Sequence, residues 1–315
     1  MTRPDDGPDE HPASTPAVLA VDIGGTKLAA ALVDADGTVR RVQRVATGQA
    51  PWEALEGLLD DVRGAEEISG VGVGCGGPMT WPEAYVSPPN TPAWRDGFPL
   101  GDALRERYAG LPVRVHNDVV ALAVGEHWKG AGQGVPDLLG MVVSTGVGGG
   151  VLQAGRVVDG RSGNAGHVGH IVVEPGGPRC GCGGRGCLEA VARGPATVAW
   201  AQERGSAARD GRELTELAVR GDEVALAALA RSGRALGIGI ASAAAVLDVG
   251  LVLLGGGLSQ AGEPLWGPLR EAVAEHARLP FLADLRVEPT ALGQESGLVG
   301  AGALVHGGDR YWSAG

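Results

Sequence analysis

The sequence has little positive charge and no long apolar segment. Its 26 lysine and arginine residues are outnumbered by 37 aspartate and glutamate residues, so the formal net charge is −11 at pH 7. This balance excludes a broad basic surface of the kind that binds nucleic acid or anionic lipid. No uninterrupted apolar run approaches the roughly 18 residues that span a bilayer. We therefore expect neither a nucleic-acid partner nor a membrane partner.

Cysteine is also scarce, with four residues in a chain of 315. Cys75 stands alone, and we expect it to be a small buried residue. The other three lie within eight positions, which is too close for a disulfide framework and is more often typical of a metal site. The acidic, proline-rich segment 1–17 lacks the apolar core of a signal peptide, so we expect a disordered tail and a cytoplasmic protein.

Glycine, in contrast, is abundant, with 55 residues that gather in short clusters after apolar runs. The segment AVLAVDIGGTKLAAALVDADGTV predicts two strands joined by a glycine-rich turn, and LLGMVVSTGVGGGVLQAGRVV repeats that pattern about 120 residues later. Strands alternate with helix-like segments such as WEALEGLLDDVR, which is typical of an α/β protein. The repeat predicts two domains of shared topology, each presenting a glycine turn to a common cleft.

Three glycine turns are candidates for binding phosphate, because glycine lets the backbone approach a ligand closely. The first follows Asp22, a carboxylate at a strand end that suits Mg²⁺ beside a phosphate. A plain type I′ hairpin is the alternative for this turn, whose spacing does not match a Walker A motif. Three such turns in one chain favour nucleotide binding; they comprise Gly24, Gly25, Thr26 and Lys27, then Ser144, Thr145 and Gly146 continuing to Gly150, then Gly255, Gly256 and Gly257.

The polar pair Asn117-Asp118 ends the apolar segment LPVRVHND. A carboxylate at the carboxyl end of a strand can take a proton from a substrate hydroxyl during phosphoryl transfer. Asparagine and aspartate are also favoured as helix N-caps, so a structural role is the alternative. The residues alone leave both roles open.

The segment HVGHIVVEPGGPRCGCGGRGCLE combines histidine and cysteine at the spacing of metal ligands. Cys180, Cys182 and Cys187 supply three thiolates, and the turn EPGGPR can fold His170 back to them. A Cys3His set suits a tetrahedral Zn²⁺ site, with reduced, unligated thiols as the alternative. Glu189 is predicted to be a pocket carboxylate or a helix-start residue. Because zinc occupies one ring nitrogen only, His170 could hold both zinc and a polar substrate.

These segments resemble the ROK family of sugar kinases and sugar-responsive repressors. DIGGTK, GVGCGGP, HND, STGVGGG, GHIVVEPGGPRCGCGGRGCLE and LLGGG occur in the family's order and spacing over about residues 18–305. The resemblance implies a two-domain, actin/hexokinase-like (ribonuclease H-like) α/β ATPase fold with a cleft between the domains. It implies an N-terminal domain at 18–124, to which a helix at about 295–308 returns, and a C-terminal domain at 125–294 with a zinc loop at 170–187.

The resemblance also implies a role for each candidate residue. Asp118 would be the catalytic base that deprotonates the 6-hydroxyl of the sugar. The sugar would be held by Gly76, Gly77, Asn117, His167, His170 and Glu189, and zinc by His170, Cys180, Cys182 and Cys187. ATP and Mg²⁺ would be bound by Asp22, Gly24, Gly25, Thr26, Lys27, Ser144, Thr145, Gly146, Gly255, Gly256 and Gly257. A homodimer is the expectation from the family.

Two positions depart from the family pattern. Most members have glutamate three residues before the zinc-binding histidine, in A-G-E-x-G-H, where this chain has His167. The A-G-H-x-G-H form is similar to that of bacterial N-acetylmannosamine kinases. NDVVAL also replaces the common N-D-A-N-A. Since a neutral imidazole offers one hydrogen-bond donor and one acceptor, recognition near C1 and C2 of the sugar must differ from that by glutamate.

We therefore expect an ATP-dependent kinase that phosphorylates the 6-hydroxyl of a hexose, with glucose as the leading substrate. N-acetylmannosamine or another N-acetylhexosamine is the alternative substrate, because of His167. A non-catalytic sugar-sensing regulator is the alternative of another class. Repressors of the family carry a helix-turn-helix domain before the kinase-like part, whereas only about 17 acidic, proline-rich residues precede the first strand here.

Overall fold

The structure, a computed structural model, describes residues 15–313. The predicted tail lies almost wholly outside the described residues, although its last member, Ala17, is the first residue of a strand. The strands are β1 (Ala17–Ile23), β2 (Lys27–Val33), β3 (Val39–Ala46), β4 (Ile68–Cys75), β5 (Met79–Thr80), β6 (Tyr85–Val86), β7 (Val113–Asn117), β8 (Leu138–Val143), β9 (Val147–Gln153), β10 (Arg156–Val157), β11 (Leu251–Gly255) and β12 (Arg286–Pro289).

The helices follow the strands of each sheet. They are α1 (Pro51–Arg63), α2 (Leu100–Arg107), α3 (Asp118–Lys129), α4 (Leu188–Ala192), α5 (Gly194–Gln202), α6 (Gly211–Val219), α7 (Glu223–Leu247), α8 (Glu263–His276) and α9 (Ser296–His306). A short 3₁₀ helix at Val168–His170 lies in the segment that was predicted to bind zinc.

Two five-stranded sheets share one topology. Their strand orders are β3-β2-β1-β4-β7 and β10-β9-β8-β11-β12. In each sheet the first two strands form an antiparallel hairpin, β1–β2 or β8–β9, and the first strand is parallel to the next strand across. The shared topology predicted from the repeated glycine-rich pattern is therefore confirmed, and each repeat is the leading hairpin of one sheet.

Each sheet buries an apolar face under helices. Leu19 and Val21 of β1 belong to one core with Leu55 and Leu59 of α1. The second core joins β8, β9 and β11 to helices α4 to α8. Alternate residues of a strand point to one face, so a nearly continuous apolar strand such as β1 is buried on both sides. The two sheets thus have separate cores.

Helix α7 is long and apolar enough, by length and composition, to span a membrane, and among residues 15–313 it is the one helix of that kind. Charged residues such as Arg231 interrupt α7, so it is not visible in the sequence as an uninterrupted apolar run. Most of its apolar window, 61%, is buried within the protein, against α8 and the smaller helices. A core helix enclosed on several sides is apolar for that reason.

Helices α3 and α9 cross in close contact between the two sheets. A Cβ added at Gly300 would overlap the carbonyl oxygen of Ala121, and one at Gly125 would overlap that of Ser296. Only glycine allows helix backbones to approach this closely. Helix α9 also packs on β1 and β4, so the last helix returns to the first sheet. The exact domain boundaries stay a prediction.

A fully buried carboxylate ties this crossing to the second sheet. Glu126 of α3 accepts hydrogen bonds from the backbone N–H groups of Ala131, Ala291 and Leu292 at 2.9, 3.0 and 2.9 Å, and from Ser296 Oγ at 2.8 Å. These donors come from the end of α3, the segment after β12 and the start of α9. Because an ionised carboxylate has acceptor sites for all four, Glu126 is satisfied without a cation.

Candidate active site

The carboxyl ends of three parallel strands bring the predicted acids to one edge of the first sheet. Strands β1, β4 and β7 are adjacent and in register, with Ile23 opposite Cys75 and Cys75 opposite Asn117. Asp22, the Gly76-Gly77 pair and Asp118 therefore lie together, although they are about 95 residues apart in the chain. Polar groups at the carboxyl ends of parallel strands are the usual basis of a ligand site in an α/β fold.

The sequence left open whether the Asn117-Asp118 pair caps a helix or supplies a base, and the structure assigns the cap to Asn117. Asn117 is the N-cap of α3, and its side-chain oxygen accepts from the N–H of Val119 at 3.0 Å. Asp118 is the first residue of the helix, and its Oδ1 accepts from the same N–H at 2.9 Å. Because Asn117 supplies the cap, the carboxylate of Asp118 is not required as one.

Two carboxylates at this edge affect each other. Burial, and then the nearby carboxylate of Asp22, raises the pKa of Asp118 to about 7, against a smaller opposing effect of the Val119 N–H. Burial also raises the pKa of Asp22, which Lys27 and Arg44 partly offset. A carboxylate with a pKa near 7 is suited to general-base chemistry. Two adjacent carboxylates that repel each other also suit the donor chemistry of Mg²⁺.

The first glycine turn, residues 24–27, is a tight connection held by a buried threonine. Thr47 donates from Oγ1 to the carbonyl of Gly24 at 2.8 Å and from its N–H to the carbonyl of Thr26 at 3.2 Å. The type I′ alternative is wrong, because neither Gly25 nor Thr26 has the positive φ that such a turn needs. Gly25 is required for another reason: a Cβ there would lie 2.7 Å from the carbonyl oxygen of Asn90. The contact of Thr47 was not predicted from the sequence.

The second glycine turn, residues 144–146, joins β8 to β9 and rests on Glu189. Glu189 lies in the first turn of α4, and its Oε2 accepts from the N–H of Val147 at 3.0 Å. A Cβ at Gly146 would be only 2.8 Å from that oxygen. Glu189 is therefore the helix-start residue of the two predicted alternatives, and it touches the glycine turn directly; its role as a pocket carboxylate stays a prediction.

Other glycines predicted to face phosphate pack against protein instead. Gly148–Gly150 lie within β9, where a Cβ on the last of them would be 2.6 Å from Cα of Val120 in α3. In the third turn, Gly256 has a φ of +95°, and a Cβ there would overlap the backbone of Val143 in β8. Its neighbour Gly257 lines a cavity. Glycine is used both where backbones pack closely and where a ligand approaches the backbone, and the sequence alone does not distinguish these two uses.

A cavity of about 620 Å³ opens beside the second and third glycine turns. Ser144, Thr145 and Gly257 line it, whereas residues 24–27 of the first turn are not part of its lining. Its other walls come from α5, α6 and the segment after β11, and they were not predicted because these sequences carry helix signals only. They include Gly194, Val198, Gln202, Arg209, Glu216 and Gln260. The volume is that of a typical small-molecule site.

Three predicted sugar ligands, Gly77, Asn117 and His167, lie close together. A Cβ at Gly77 would lie 3.0 Å from Nδ2 of Asn117 and 3.7 Å from Nε2 of His167. The Nδ1 atom of His167 is 2.9 Å from the carbonyl oxygen of Asn164. Because a carbonyl only accepts, Nδ1 carries a proton, and Nε2, which lies on the side of Gly77, would be the acceptor of a neutral ring. The His167 and His170 rings stack 6.3 Å apart.

The Cys3His cluster has the dimensions of a zinc site. One ligand atom from each of His170, Cys180, Cys182 and Cys187 lies within 4.8 Å of every other. The Sγ atoms of Cys182 and Cys187 are 3.8 Å apart, as are Sγ of Cys180 and Nδ1 of His170. Ligands about 2.3 Å from a tetrahedral zinc ion are separated by roughly this distance, so the residues fit the ion. Nδ1 of His170 faces the cluster, which leaves its Nε2 available elsewhere.

Comparison with known proteins agrees with this arrangement. The profile of the ROK family matches residues 18–307. The chain is 35% identical over 308 residues to a glucokinase of Thermotoga maritima, covering 91% of this chain and 96% of that protein. It is 36% identical over 298 residues to an N-acetylmannosamine kinase of Shigella flexneri, covering 92% of this chain and 98% of that protein.

The fold is also similar to a solved structure with ligands. A crystal structure of a ROK family glucokinase from Streptomyces griseus, in complex with glucose and AMPPNP, matches with a TM-score of 0.81 and 34% sequence identity, covering 93% of this chain and 100% of that chain. The predicted actin/hexokinase-like α/β fold is confirmed by this similarity.

Proposed function

The chain belongs to the ROK family, and from this premise we propose that it is an ATP-dependent kinase that phosphorylates the 6-hydroxyl of a hexose. Its similarity to glucokinases supports glucose as the first substrate. The observation that carries the proposal is the carboxylate of Asp118, whose pKa is about 7 and which lies where β1, β4 and β7 end together.

Asp118 would act as the base that accepts the proton of the 6-hydroxyl while that oxygen attacks the γ-phosphorus. Asn117, His167 and His170 would orient the sugar from the side of Gly77, so that the hydroxyl lies next to the carboxylate. Phosphoryl transfer requires mainly positioning and charge stabilisation, and a general base contributes the proton transfer. Asn117 holds the start of α3, so the base is fixed on a rigid helix end.

The donor side would use the 620 Å³ cavity for the nucleoside of ATP, with Gly257 on its wall. Ser144 and Thr145 at its inner end would approach the phosphates with hydroxyl and N–H groups. Glu189, which accepts from the Val147 N–H, would transmit the position of this turn to α4 and the zinc segment before it. Mg²⁺, when bound near Asp22, would neutralise phosphate charge, and Zn²⁺ would hold the loop of His170 in shape.

An N-acetylmannosamine kinase is the second candidate. His167 stands where most family members have glutamate, and kinases of this specificity are 36% identical to the chain. Because the carbonyl of Asn164 accepts from Nδ1 of His167, a neutral ring would present one acceptor, Nε2, to the sugar. A glutamate would present a charged carboxylate with two acceptor oxygens. His167 thus reduces the hydrogen bonds available to hydroxyls at C1 and C2, which is compatible with a C2 substituent.

The proposal is tested by measuring ADP release in a coupled assay with glucose and N-acetylmannosamine side by side. We expect sugar-dependent ADP release, with a sugar 6-phosphate as product by NMR. A higher kcat/KM for glucose identifies a glucokinase, and a higher value for N-acetylmannosamine identifies the second candidate. Sugar-independent ATP hydrolysis, or no turnover with any hexose, contradicts the proposal. A cytoplasmic location, where ATP is supplied, and a homodimer accompany it as expectations.

A further inference from the structure

A histidine–aspartate pair connects β7, next to Asn117, with the loop that follows β10. His116 belongs to β7 of the first sheet and is 1% exposed, and its Nε2 lies 2.8 Å from Oδ1 of Asp159. Asp159 belongs to the loop that leaves β10 of the second sheet, and its side chain is 11% exposed. The pair therefore connects the strand that carries the catalytic residues to the loop that leads to His167.

The protonation of His116 follows from its two contacts. The backbone N–H of Asn117 donates to Nδ1 of His116 at 2.8 Å, so Nδ1 carries no proton. Nε2 therefore carries it and donates to the carboxylate of Asp159. The ring is also enclosed by Trp81 and Trp312, whose centroids lie 5.9 and 6.4 Å away. Both the tautomer and the orientation of His116 are fixed.

Asp159 uses each of its oxygens to hold the loop. Besides accepting from His116 at Oδ1, it accepts at Oδ2 from Ser313 Oγ at 2.5 Å. Its backbone carbonyl accepts from the N–H of Ala165 at 3.2 Å, which closes the segment 159–165 into a compact turn. A hydrogen bond to a charged acceptor is stronger than a neutral one. Asp159 thus fixes the turn at its first residue.

A second attachment fixes the other end of this turn. Asn164 binds both backbone groups of Met79 in β5, accepting from its N–H at 3.4 Å and donating to its carbonyl at 3.0 Å. Gly163 lies flat on Trp81, where a Cβ would overlap the indole side chain. The carbonyl of Asn164 is also the acceptor for the Nδ1–H of His167. The residue that orients His167 is therefore itself held by β5, which pairs with β6 in a separate two-stranded sheet.

We propose that Asp159 is a positioning residue for hexose binding: through His116 and the 159–165 turn it holds His167 against Gly77 and Asn117. The inference rests on the proposed function, since it assigns the held residues to the sugar site. Asp159 reaches the site only through His116 and the turn. Loss of the pair should therefore weaken sugar binding and leave the nucleotide side unchanged, because a small misplacement of binding groups costs up to about 100-fold.

The test compares Asp159→Ala with Asp159→Asn and with Glu263→Ala, a control that removes an exposed carboxylate paired to Arg270 on α8. Asparagine retains an oxygen that accepts from His116 Nε2, so this variant should stay within about threefold of the wild type. In D159A the Kd and KM for the hexose should rise roughly 10- to 100-fold. The KM for ATP, the zinc content and kcat at saturating sugar should change less than about threefold.

Amide hydrogen exchange of residues 158–168, measured without sugar, reports on the attachment independently of catalysis. We expect faster exchange there in D159A than in the wild type and no change in the control. Unchanged exchange overturns the attachment, and faster exchange with unchanged hexose affinity overturns its role in positioning. If the wild type binds no hexose, the proposed function and the positioning role both fail, and the exchange data then establish the attachment alone. Asn164→Ala, which removes only the second attachment, makes the same prediction should D159A not fold.

Discussion

Replacing Asp118 with asparagine removes the proton acceptor while keeping the shape of the site. Asparagine still offers an oxygen to the Val119 N–H, so α3 should begin as before. A positioned general base contributes roughly 10²- to 10⁴-fold to a reaction rate, which corresponds to about 3–5 kcal/mol of activation free energy. We therefore expect kcat to fall by at least about 100-fold in D118N, while hexose binding measured by calorimetry remains within a few-fold of the wild type.

The pH profile separates a base from a residue that only shapes the site. Because the pKa of Asp118 is about 7, the carboxylate is half protonated near neutral pH in the free enzyme. The wild-type kcat/KM should rise about tenfold per pH unit below that value and level off above it. In D118N this limb should be absent. Activity above about a tenth of the wild type, or an unchanged acid limb in the variant, would remove Asp118 as the base.

The same variant should be more stable than the wild type at alkaline pH. The folded protein raises the pKa of Asp118, so its favourable contribution is present below the ordinary value near 3.8 and is lost as the pH rises through about 7. Asparagine carries no charge at any of these pH values. The melting temperature of D118N should exceed that of the wild type at pH 8, and the difference should vanish below about pH 4. An equal difference at both pH values would contradict a buried, repelled carboxylate.

Three further predictions concern other parts of the molecule. Cys182→Ser should lower the zinc content measured by mass spectrometry. It should also raise the KM for the hexose, because His170 would lose its support, while the KM for ATP stays constant. Full zinc occupancy with an unchanged hexose KM would argue against the zinc site. His167→Glu, which adds an acceptor, should shift the ratio of kcat/KM values toward glucose over N-acetylmannosamine by about tenfold; no shift means that this side chain does not contact the sugar. Glu126→Gln should lower the free energy of unfolding by about 3 kcal/mol in urea titrations, because an amide nitrogen would face N–H donors.

Residues that act through a local pattern were predictable from the sequence. The Cys3His set lies within one short segment, so spacing alone brings Cys180, Cys182 and Cys187 together. The two hairpins were equally visible, because strand, turn and strand are adjacent in the chain. The candidate catalytic edge needed one more step, since the proximity of Asp22 and Asp118 depends on the parallel register of β1, β4 and β7.

Residues that act across the fold were not predictable. Thr47 holds the first glycine turn from the end of β3, and nothing in its own sequence context indicates that contact. Walls of the 620 Å³ cavity come from α5 and α6, whose sequences carry helix signals only. The pairing of His116 with Asp159 joins two sheets at a separation of 43 residues. Such contacts are set by how distant elements pack, which a residue pattern does not encode.

The two histidines of the A-G-H-x-G-H segment show how this chain can replace the family's glutamate. Each uses Nδ1 elsewhere: that of His167 donates to the carbonyl of Asn164, and that of His170 faces the cysteine cluster. A nitrogen that binds zinc needs its lone pair, so the proton of His170 would lie on Nε2, whereas Nε2 of a neutral His167 would have none. The stacked rings would therefore offer the cleft one acceptor and one donor. A sugar hydroxyl both donates and accepts, so the two histidines can bind hydroxyls without the negative charge of a glutamate. A neutral site of this kind also admits an N-acetyl group, because the carbonyl of that group requires a hydrogen-bond donor.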